Sequence, residues 1–133
     1  MTAYLTLAEV VALHDEISLR TGSVPESLRD EGLLESALAR AQNAAYYEGA
    51  DLVRQAGLLA IGISQNQPFV DGNKRTAYAS LDVFLRINGS FFAGEPLELA
   101  RQFEHIATSK LTREEATEEF VGWLAARVRT LDL

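Results

Sequence analysis

Apolar residues recur along most of this chain at steps of three and four, the spacing that puts them on one face of a helix. The first such run is Leu7, Val10, Val11, His14 and Ile17. Thr6-Leu7-Ala8-Glu9 opens it as a capping box, with a hydroxyl at the cap and a Glu three residues on. Gly22, after Thr21, should stop it. A second helix is predicted from about Glu31 to Tyr46, with Leu34, Ala37, Leu38 and Ala41 on one face. Asp51 can cap a third through about Ser64, whose face of Ala56, Leu59, Ala60 and Ile63 suits a central, buried helix. Pro68 and Gly72 bound an irregular segment. A fourth helix starts near Asn73 and stops at Asn88-Gly89. Ser90-Phe91-Phe92 is long enough only for a strand fragment. A fifth helix follows Pro96, and the capping box Thr112-Arg113-Glu114-Glu115 opens a sixth, with Ala116, Phe120, Trp123 and Leu124 inward. The pattern predicts an all-α chain, a compact bundle of about six helices with essentially no sheet.

Composition narrows the function. The 133 residues suit one domain, 1–133, with no repeat or linker. Cysteine is absent, which excludes disulfides, thiolate metal sites and a cysteine nucleophile. Only two histidines are present, His14 and His105, so a zinc site would need carboxylates to complete it. The net charge of −7 argues against nucleic-acid binding by bulk charge. No apolar run approaches the roughly 20 residues of a membrane helix, and the N-terminus lacks the features of a signal peptide. A soluble cytoplasmic protein is the expectation.

The chemistry is concentrated in Gln67-Pro68-Phe69-Val70-Asp71-Gly72-Asn73-Lys74-Arg75. The first turn of a helix has unpaired N–H groups and a partial positive charge. Gly72 lets the backbone approach an anion, so these N–H groups could cradle phosphate. Lys74 and Arg75 put cations where acidic residues are usually favoured, which costs stability unless an anion is bound. Asp71 could hold Mg²⁺, a hard cation that favours carboxylate and phosphate oxygens. The bland alternative is an ordinary Asp-Gly turn followed by a solvated Lys-Arg pair. Phe69, an apolar ring in a polar loop, reads as an anchor pinning the loop to the bundle. His14 reads as a packed, hydrogen-bonded residue of the first helix, and His105 as an ordinary helix residue.

Extended by Thr76-Ala77, this segment resembles the central motif of the Fic/Doc family, His-Pro-Phe-x-(Asp/Glu)-Gly-Asn-(Gly or Lys)-Arg. Lys74, followed by Arg75-Thr76-Ala77, is the Doc branch form, and Tyr78 stands where the Fic branch has a second Arg. Ala12-Leu13-His14-Asp15-Glu16-Ile17, residues Arg29 to Leu38, and Phe84-Leu85-Arg86-Ile87-Asn88-Gly89 are similar to other Doc segments. The resemblance covers about residues 5 to 92 closely and the rest loosely. It implies a toxin that transfers the γ-phosphate of ATP to a threonine of the translation elongation factor Tu and stalls translation. The implied cofactors are ATP and Mg²⁺. The implied partner is a Phd-type antitoxin whose C-terminal segment covers a toxin groove, to which Tyr46-Tyr47 and Phe91-Phe92 could contribute. Carried over by position, Asp71 holds Mg²⁺, Gly72 and Asn73 form the anion nest, and Lys74 and Arg75 hold phosphates and offset transition-state charge.

One departure matters most. The family's general-base His is Gln67 here. A carboxamide cannot take a proton near neutral pH, and losing a base typically costs about 10²–10⁴-fold in rate. The chain is therefore expected to be inactive or weakened. An introduced substitution, a natural weakened toxin, or slow transfer by positioning and charge alone would each account for Gln67. The first is favoured because every other motif position is intact. The alternative functions are AMP transfer, as in the Fic branch, and a non-catalytic module that binds nucleotide or antitoxin.

Overall fold

The computed structural model describes residues 1–25 and 28–132. Its helices are α1 (Leu7–Arg20), α2 (Glu31–Glu48), α3 (Leu52–Asn66), α4 (Asn73–Ile87), α5 (Pro96–Thr108) and α6 (Arg113–Ala125). The all-α bundle expected from the periodicity is the fold observed.

Local chemistry sets the helix ends. Both predicted capping boxes form, with Thr6 and Glu9 opening α1 and Thr112 and Glu115 opening α6. Asp30 caps α2 by accepting from the Leu33 N–H, and Asp51 caps α3 by accepting from the Arg54 N–H. α2 runs two residues beyond the predicted Tyr46, because nothing breaks it before Gly49, which turns left-handed at φ 66°. α3 likewise runs past Ser64 to Asn66 and stops when Gln67 turns left-handed.

The central helix is α3. Every residue from Gln55 to Ser64 is buried, which explains why its sequence is apolar nearly all round. It packs chiefly between α2 and α4, and also touches α5 and α6. Close approach to α2 depends on Gly62, where a Cβ would lie 2.7 Å from the Ala37 Cβ. The core gathers Val10 of α1, Leu34 of α2, Ile61 and Ile63 of α3, Leu81 and Phe84 of α4, and Phe103 and Phe120 of α5 and α6. Phe69 joins it from the loop between α3 and α4, with 1% of its surface exposed, as its apolar ring predicted.

A small sheet was not foreseen. β1 (Ser90–Phe92) pairs antiparallel with β2 (Val128–Thr130), with Phe91 opposite Arg129. Three residues of β2 are too few to show a period, and their partner lies far away in sequence. The pairing ties the chain beyond α6 to the end of α4. Among the described residues, no helix is long and apolar enough to cross a membrane.

Candidate functional site

The loop from Gln67 to Gly72 joins the C-terminus of α3 to the N-terminus of α4, so the exposed carbonyls of one helix lie beside the free N–H groups of the next. Two contacts from distant parts of the chain and one within the loop hold it.

The first is at Gln67. Its φ of 51° makes it the sole non-glycine residue with positive φ among those described. This conformation costs an L-residue roughly 1–2 kcal/mol, so its surroundings must hold it. Arg29 does so from the segment before α2. Its Nε and Nη2 donate to the Gln67 carbonyl at 2.9 and 2.6 Å, and Nη2 also reaches the Asn66 carbonyl at 3.2 Å. The backbone N–H groups of Arg29 and Asp30 both donate to the Pro68 carbonyl, and Leu28 forms an antiparallel bridge with Phe69.

The second contact is His14, only 3% exposed. Its ring stacks flat on Phe69, with centroids 3.9 Å apart and planes 5° from parallel. Its Nε2 lies 2.8 Å from the Asp71 carbonyl. A carbonyl only accepts, so Nε2 carries the hydrogen. The packed, hydrogen-bonded role expected of His14 is observed, and its partner is the motif itself.

The third is internal. The Asn73 side chain accepts from the Phe69 N–H and donates to the Phe69 carbonyl, both at 2.9 Å. The amide of Asn73 is thus occupied in shaping the loop, which leaves its backbone N–H for any anion.

The α4 N-terminus has the features expected of an anion site. Gly72 stands at the cap with φ 80°, no side chain caps the helix, and no acidic residue lies in its first turn. The Asp71 carboxylate accepts from the Gly72 N–H at 2.8 Å and is exposed. A cavity of about 420 Å³ opens here, lined by Gln67, Asp71, Gly72, Asn73, Lys74 and Arg75 among others. The structure therefore brings all six predicted site residues to one opening.

The two cations differ, however. Lys74 forms an ion pair with Glu104 of α5, while Arg75 is exposed and has no ion-pair partner among the described residues. One of the two cations at this helix start is thus engaged by a carboxylate. Arg75 also borders an apolar groove of about 520 Å³ between α4 and α5, lined by Ile17, Tyr78, Ala79, Leu97 and Phe103. Burial, and then the nearby Asp82, push the Tyr78 phenol above its ordinary pKa.

The aromatic pairs proposed for a partner groove do not line this one. Tyr46 and Tyr47 stand 81% and 78% exposed at the end of α2, and Phe92 is in the core. His105, as expected, is an ordinary residue of α5, 2.8 Å from Glu119. Arg29 carried no local sign of its role, since it acts on a carbonyl 38 residues away.

Comparison with known proteins agrees with this geometry. A family model described as "Fic/DOC family" matches residues 4–85, from the start of α1 to near the end of α4. Toxin Doc of Mycolicibacterium smegmatis (strain ATCC 700084 / mc(2)155) is 38% identical over 96 residues, covering 69% of this chain and 67% of that protein. Protein kinase doc of Escherichia phage P1 is 34% identical over 110 residues, covering 82% and 86%. The matched region includes α3, the motif loop and all but the end of α4, and the chain belongs to the Fic/DOC family.

Proposed function

We propose that this chain is the toxin of a toxin–antitoxin pair, a Doc-type kinase that transfers the γ-phosphate of ATP to a threonine of elongation factor Tu, and that Gln67 leaves it impaired. The carrying observation is the uncapped start of α4, with Asp71 before it, Arg75 exposed beside it and a cavity of about 420 Å³ over it.

These residues fit ATP and Mg²⁺. Among the described residues, no three carboxylate or imidazole groups gather to hold a metal by themselves. Asp71 would hold Mg²⁺ together with phosphate oxygens, the usual arrangement for this ion. When bound, the metal offsets charge on the phosphates. The α4 N–H groups and Arg75 would bind phosphate oxygens, and Lys74 would orient from its pair with Glu104. In the transfer, the bond from the γ-phosphorus to its bridging oxygen breaks and a bond to the threonine hydroxyl forms. ADP leaves, and the hydroxyl proton must go to a base. A histidine at position 67 would take it, whereas the carboxamide of Gln67 can only hydrogen-bond to the hydroxyl.

The apolar groove beside Arg75 is the place for an antitoxin segment. Leu97 is 62% exposed on it. Arg75 borders both groove and phosphate cavity, so a segment lying in the groove would cover the site.

Growth of producing cells tests the reading. The chain with Gln67→His should arrest growth and stall translation, and a co-produced antitoxin should relieve both. Gln67 itself should be milder, with transfer slower by about 10²–10⁴-fold. Normal growth with abundant, folded Gln67→His protein would overturn the toxin assignment.

A further inference from the structure

We infer that Arg29 is a positioning residue, which fixes the direction of the side chain at position 67 by holding that residue's backbone left-handed. The inference rests on the kinase reading for its effect on rate, but the geometry behind it does not.

Gln67 lines the phosphate cavity, and it does so from a conformation that L-residues avoid. A φ of 51° at Gln67 lies in the left-handed region, which is unfavourable for an L-residue. Strain of this kind persists only where neighbours over-determine it. The Gln67 N–H donates to the Ile63 carbonyl, and Arg29 supplies the side chain that holds the other face of the peptide. Its guanidinium donates to the carbonyls of Asn66 and Gln67, at the end of α3, where the helix dipole is negative and carbonyls lack partners. The planar fork of arginine matches two adjacent acceptors, which a lysine ammonium cannot do from one fixed position. The backbone of Arg29 and Asp30 secures the next carbonyl, that of Pro68.

The arrangement separates two tasks. His14 and Asn73 hold Asp71 and Phe69, at the phosphate end of the loop. Arg29 holds the other end, where the base belongs. Its side chain is exposed, so its removal leaves the core untouched. Loss of Arg29 should therefore free residue 67 without disturbing the phosphate nest.

Two measurements test this on the whole chain. In Gln67→His protein, adding Arg29→Ala should lower kcat roughly 10- to 100-fold, the scale of a misplaced catalytic group. The KM and Kd for ATP should stay within about twofold, because the groups that hold phosphate are unaltered. Arg29→Lys should recover only part of the rate. An unchanged kcat, or an equal loss of ATP affinity, would overturn the assignment. The second measurement needs no turnover and is made with Gln67 in place. On Arg29→Ala, the ¹⁵N order parameter at residue 67 should drop below about 0.6, with Ile63 staying near 0.85. Residue 67 remaining rigid would refute the positioning role, whereas loss of order with no transfer by any variant would count against the kinase reading alone.

Discussion

On the proposed reading, the side chain at position 67 decides whether this site can accept a proton, and its left-handed backbone sets where that side chain starts from. Both properties meet in a residue that also ends α3. Just beyond it, Phe69 anchors the loop. With 1% of its surface exposed and His14 stacked on its face, Phe69 links α1 to the motif through the core. Phe69→Ala should destabilise the fold by about 3–5 kcal/mol, read as a lower urea midpoint with unchanged slope. A loss under about 1 kcal/mol would mean that the ring is not the anchor. This role was legible, because an apolar ring in a polar loop has few other uses. The left-handed turn at Gln67 was not, since glutamine carries no preference for it and the holding group is remote.

At the scale of elements, the caps were legible and the joints less so. Thr6 with Glu9, and Thr112 with Glu115, were readable because a capping box is local, spanning four residues. In each, hydrogen bonding to the backbone N–H of the threonine, followed by that to its hydroxyl, lowers the glutamate pKa from its ordinary 4.5. A lowered folded-state value gives stability that is complete above about pH 4.5 and is lost as pH falls through the lowered value. Thermal melts from pH 6 to pH 3 should show this decline. Glu115→Gln keeps a capping side chain without the charge, so its Tm should fall less steeply over that range. Equal slopes for the two proteins would contradict the cap's contribution. The β1–β2 pair, by contrast, joins residues 90–92 to 128–130, and no local pattern encodes a pairing of that separation. α2 and α3 each run two residues past their predicted ends. The actual stops are a glycine at 49 and a left-handed glutamine at 67, and only the first has a local signature.

Taken whole, the molecule is acidic, with a net charge of −7, yet it keeps at the open start of α4 an arginine with no ion-pair partner among the described residues. That contrast was visible in the sequence, as was the gathering of Gln67, Asp71, Gly72, Asn73, Lys74 and Arg75, because nine consecutive residues carry them. What the sequence could not reveal was the long-range support. His14 lies 57 residues from Asp71, and the ion pair of Lys74 with Glu104 crosses from α4 to α5. Such contacts depend on how helices pack, not on spacing along one of them. The transferred group distinguishes a kinase from an AMP transferase. Intact mass spectrometry of elongation factor Tu, incubated with ATP, Mg²⁺ and Gln67→His protein, reads this directly. The expected result is a gain of one phosphate on a threonine, much slower with Gln67. A gain of one AMP, or no modification by a folded, ATP-binding Gln67→His protein, would contradict it.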